Sequence, residues 1–132
     1  MNRRLDNPIA VTRYGPVILW ALLIFAVSSI PDLSAPGAEF KLTDKTVHFI
    51  EFGVFGYLLA SALAPSGVRL TKKRILVVLA VGALYGLLDE TYQSFVPGRA
   101  ADPFDVLADI LGVCTALLLW HVLRRRRPSV PP

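Results

Sequence analysis

FDVLADILGVCTALLLWHVL, residues 104–123, is as long as a helix needs to be to cross a bilayer, and it carries acids at one end only. Asp105 and Asp109 lie in its first two turns, and Arg124 to Arg127 follow its other end. Three similar segments precede it. Tyr14 to Ile30 stops at Pro31, Thr46 to Ala64 stops at the Pro65-Ser66-Gly67 turn, and Ile75 to Tyr92 lies between the Arg69–Arg74 basic cluster and Pro97-Gly98. This pattern predicts an all-α bundle of four transmembrane helices, at about 14–30, 46–64, 75–92 and 104–123, in a single domain over residues 1–132. Residues 124–132 read as a basic, then Pro-containing, tail.

Composition agrees. A chain with 54% hydrophobic and 18% charged residues, and a mean hydropathy of +0.53, is too apolar for an ordinary soluble domain. The net charge of +4 does not indicate nucleic-acid binding, because the basic residues border apolar segments and are not interleaved with a solvated aromatic face. A single cysteine, Cys114 in an apolar run, excludes an intrachain disulfide and a thiol-rich metal site. Arg3, Arg4 and Arg13 before the first segment also fit a signal peptide, but its apolar stretch is longer than a usual signal core.

Charge sets an expected orientation. The amino terminus, the middle loop and the carboxyl terminus hold eleven of the fourteen basic residues, leaving only Lys41, Lys45 and Arg99 for the other side. Both termini are therefore expected in the cytoplasm. Nine of the ten acids, all except Asp6, then gather at the outer face.

Several of these acids are placed where charge is expensive, so they are candidates for function. Asp44, His48 and Glu51 are spaced i, i+4 and i+7 and share one face of the second helix, with Thr43 or Asp44 also able to cap it. The third helix brings Asp89, Glu90 and Gln93 to the same end, and Glu90 and Gln93 at i, i+3 can share a face. Acids at a helix carboxyl terminus oppose its dipole, so a partner cation is expected; Arg99 is the candidate for Glu90, Asp102 or Asp105. Asp102, Asp105 and Asp109 share one face of the fourth helix, and Asp102 or Asp105 can cap it. Gly53, Gly56, Gly82, Gly86 and Gly112 read as close-packing positions between helices.

The blocks Asp44-Lys45-Thr46-Val47-His48-Phe49, Asp89-Glu90-Thr91-Tyr92-Gln93-Ser94-Phe95, Pro97-Gly98-Arg99 and Asp105-Val106-Leu107-Ala108-Asp109-Ile110-Leu111-Gly112 resemble the signature blocks of VanZ-like membrane proteins. One departure is Asp109, where that family often has Asn. The resemblance implies a bacterial inner-membrane protein of a family whose founding member is associated with reduced susceptibility to the lipoglycopeptide teicoplanin. It implies no particular reaction.

The expected site is an outward-facing pocket that binds or processes an amphiphile, such as a lipid-linked envelope precursor or a lipoglycopeptide. Its ligand-binding candidates are Asp44, Lys45, His48, Glu51, Glu90, Gln93, Arg99, Asp105 and Asp109. The surrounding acids favour a cationic or hydroxyl-rich headgroup. An alternative is a membrane-embedded enzyme with His48 or Glu51 as base and Asp105 or Asp109 as acid or metal ligand. No cofactor motif is evident, although the oxygen and nitrogen donors are compatible with a divalent cation. A third reading is a structural bundle that binds a partner membrane protein. Membrane lipids are expected partners, nucleic acid is not, and oligomeric state is left open.

Overall fold

A computed structural model of the chain describes residues 8–31, 38–64 and 69–125, with side chains for 11–31, 42–64 and 69–123. These residues form four helices: α1 (Pro8–Ser28), α2 (Ala38–Leu63), α3 (Lys72–Gln93) and α4 (Pro103–Arg125). Each is long and apolar enough to cross a membrane. Arg3, Arg4, the 65–67 turn and residues 126–132 lie outside the described residues, as do the side chains of Lys41, Arg124 and Arg125.

Helix starts depart from the hydropathy pattern. α1 opens on Pro8, a residue whose fixed φ and missing N–H suit a first helical position. α2 starts at Ala38, so Thr43 and Asp44 lie well inside it and neither caps its first turn. The expected capping role is thereby corrected: polar residues mark where the apolar stretch begins, but the helix continues past them. α3 is capped by Thr71, whose side chain accepts from the Arg74 N–H at 3.3 Å. At α4 the capping residue is Asp102, whose Oδ1 accepts from the Phe104 N–H at 2.9 Å. Asp105 is thus released for another role.

The core lies between helices and the outer faces are apolar. Ile24, Phe52, Val78 and Val113 are fully buried, whereas Ile18, Leu19, Leu84 and Leu118 are more than half exposed. An outside this apolar is matched to lipid tails. α2 and α4 pack most extensively. A Cβ on Gly112 would sit 2.3 Å from the Phe49 carbonyl oxygen and 2.9 Å from the Gly53 nitrogen, so only glycine permits this backbone approach. α1 is tied on by the Trp20 indole, which donates to the Glu51 carbonyl at 2.9 Å, and by the Tyr85 hydroxyl, which donates to the Ala21 carbonyl at 2.5 Å. At the opposite end Arg13 donates to the Ala62 carbonyl, joining α1 to the end of α2.

Candidate functional site

His48 is the hub. It is 3% exposed, and its Nδ1 shares a 3.0 Å hydrogen bond with Oδ1 of Asp109, which is itself 0% exposed. With Asp109 ionised, the carboxylate accepts and Nδ1 carries the proton. Nε2 then faces α3, where Glu90 Oε1 stands 3.9 Å away, too far for a hydrogen bond. Room for Asp109 comes from Gly86: a Cβ there would lie 2.6 Å from Asp109 Oδ2. One helical turn before His48, Lys45 projects from α2 toward the start of α4. Its ammonium reaches Asp102 Oδ2 at 2.6 Å and Asp105 Oδ1 at 2.8 Å.

Lys45 therefore takes the place expected of Arg99. Among the described residues Arg99 joins no ion pair, and its Nε and Nη1 are buried without a hydrogen-bond partner. The reason is geometric. Lys45 is already on the α2 face that packs against α4, whereas Arg99 leaves the turn after Gly98, whose φ of 76° redirects the chain.

Glu90 bridges two environments. Its Oε2 accepts from the Asp102 N–H at 2.7 Å, while Oε1 is buried and has no hydrogen-bond partner among the described residues. Glu90 also lines a groove of about 480 Å³ between α3 and α4, with Leu87, Thr91, Ser94, Ala101, Pro103 and Val106. The groove is thus apolar along most of its length and acidic at one point.

Gln93 belongs elsewhere. It donates to Asp89 Oδ2 at 2.9 Å and to Ser28 Oγ at 3.3 Å, so its i, i+4 neighbour Asp89 wins over the expected Glu90. Asp89, Gln93 and Ser28 are all buried, which brings α1 into the site. Ser28 was not among the sequence-derived candidates, although Ser28 and Ser29 end an otherwise apolar segment and signalled its polar end. Ser29 and the Tyr92 hydroxyl are also hydrogen-bonded at 3.1 Å. Asp44 is half-buried, and a donor atom of it lies within 4.8 Å of donor atoms on His48 and Asp105. Glu51 is half-buried one turn beyond His48 on α2.

The structure thus brings Asp44, Lys45, His48, Glu90, Asp105 and Asp109 together from three helices. Gln93 lies in the adjoining Asp89 cluster, Glu51 is half-buried farther along α2, and among the described residues Arg99 pairs with neither group.

Fold and site define a multi-pass membrane protein with a polar cluster held at one end of its helices. The chain matches the VanZ/LLP1 family over residues 10–124 and belongs to that family. It is also similar to an uncharacterized protein of Schizosaccharomyces pombe, with 34% identity over 93 residues. That alignment covers 70% of this chain and 56% of the relative, so the chain spans little more than half the relative's length. Because this relative is eukaryotic, the likeness does not by itself specify a bacterial membrane. No solved structure matches the chain.

Proposed function

We propose that the protein binds an amphiphile of the cell envelope, holding its apolar part along the α3–α4 groove and its headgroup against Glu90. The observation that carries this reading is the double position of Glu90, which lines an apolar groove and presents an unpartnered buried oxygen beside His48. The headgroup is cationic or hydroxyl-rich, since Asp44, Glu90, Asp105 and Asp109 outnumber Lys45 around it. Lipid-linked envelope precursors and lipoglycopeptides have the required two-part chemistry. The positive-inside rule supports cytoplasmic termini and a site near the outer leaflet.

Native mass spectrometry of the chain extracted in mild detergent tests the reading. Wild type is expected to retain such an amphiphile, and Leu87→Trp, which fills the groove from a half-exposed position, and Glu90→Gln are each expected to lose it. Equal retention by all three proteins overturns the proposal.

A second reading rests on the Asp109–His48 pair, in which a buried carboxylate orients an imidazole whose other nitrogen faces a third acid. This is a general acid–base arrangement, and in this reading the chain is an enzyme acting on the same amphiphile. A mass change in the retained amphiphile that requires His48 distinguishes catalysis from binding.

A further inference from the structure

We propose that Asp44, His48 and Asp105 form a site for one divalent transition ion, with Asp109 as the orienting carboxylate behind the imidazole. This inference shares the unpartnered Glu90 oxygen with the groove reading but does not depend on the amphiphile.

One donor atom from each of the three residues lies within 4.8 Å of the others. Donors bound to one ion at about 2.0–2.2 Å are separated by up to roughly 4.4 Å, so small side-chain rotations close the set. His48 and Asp105 are each 3% exposed, which distinguishes them from a solvated acidic patch. The His48–Asp109 hydrogen bond at 3.0 Å matches the way a metal-ligating imidazole is held, one nitrogen donating to a carboxylate and the other free. A second, independent observation comes from α3. Glu90 is 3% exposed, and its Oε1, without a hydrogen-bond partner, is directed at His48 Nε2 from 3.9 Å. Glu90 stands outside the three mutually close donors, so an ion held by them would offset its charge without being ligated by it. Lys45 engages Oδ1 of Asp105 and leaves that carboxylate a second oxygen. Two carboxylates and one imidazole select an ion such as Mn²⁺ or Zn²⁺ over Ca²⁺, which prefers oxygen alone.

The test is Mn²⁺ titration of the purified full chain in nanodiscs, followed by loss of the free-ion electron paramagnetic resonance signal, with Zn²⁺ as competitor. One saturable Mn²⁺ per chain, displaced by Zn²⁺, is expected. Asp44→Asn and His48→Ala each weaken binding by about tenfold or more. Asp89→Asn removes the same charge from a nearby helix turn but no donor, and leaves affinity essentially unchanged. Half-buried Asp44 carries the comparison by itself if His48→Ala does not fold. Absence of saturable binding by wild type overturns the site. So does an Asp89→Asn loss equal to that of Asp44→Asn, which would mark diffuse attraction to the acids.

Discussion

Asp109 lies six residues beyond Pro103, which at about 1.5 Å per residue places it roughly 9 Å along α4 from the membrane-entering end. An acid there, with no exposed surface, has one oxygen met by His48, while Gly86 leaves room for the other, which is buried without a hydrogen-bond partner among the described residues. Asp109→Asn keeps the shape and a hydrogen-bonding oxygen for His48 Nδ1. It is expected to insert normally and to unfold in denaturing detergent within about 1 kcal/mol of wild type. Asp109→Ala strands the imidazole and is expected to cost about 2–4 kcal/mol in the same titration. Equal stability of the two variants would show that the His48 hydrogen bond contributes nothing. That Asp109 faces inward was legible in the sequence, since at its depth lipid is the costlier alternative. Its choice of His48 as partner was not, because it depends on how far α2 and α4 are rotated about their axes.

At the scale of helices, two contacts fix how α2 meets α4. The first is the Gly53–Gly112 approach: Gly112→Ala puts a methyl against the Phe49 carbonyl, which cannot move without the helix, so a loss of about 1–3 kcal/mol is expected. The second is the Lys45 ion pair. Lys45→Met leaves Asp105, whose side chain is only 4% exposed, as a buried charge without its cation, and is expected to cost about 3–5 kcal/mol. Asp102→Asn is expected to cost less, because Asp102 is one-third exposed and asparagine still caps α4. A larger loss at Asp102 than at Lys45 would contradict this ordering. Spans and their neighbours were readable from apolar length and glycine placement. The amino-terminal starts were less so, because hydropathy reports where lipid begins and α2 is helical from Ala38, eight residues before Thr46. Lys45 displaced Arg99 for a related reason. Both are cations at the same membrane face in the sequence, and only the path of the turn after Gly98 separates them.

For the whole molecule, the distribution of charge and the position of the cluster make the same demand on orientation. His48, Glu90, Asp105 and Asp109 all lie toward the helix ends that face away from the basic 69–74 segment, which includes the start of α3. The eleven basic residues that the sequence assigns to the other ends of the spans would resist translocation, whereas acids contribute little to topology. The proposed orientation therefore puts the polar cluster outside, within reach of an outer-leaflet headgroup. Cys114, exposed on α4, is first replaced by Ser, and single cysteines are then introduced at Ala101, before α4, and at Ser66, which falls between α2 and α3 in the sequence. A membrane-impermeant thiol reagent applied to intact cells is expected to label Ala101→Cys and to reach Ser66→Cys only after permeabilisation. The opposite pattern would turn the acidic cluster toward the cytoplasm. An outer-leaflet ligand could then no longer reach Glu90 without crossing the bilayer.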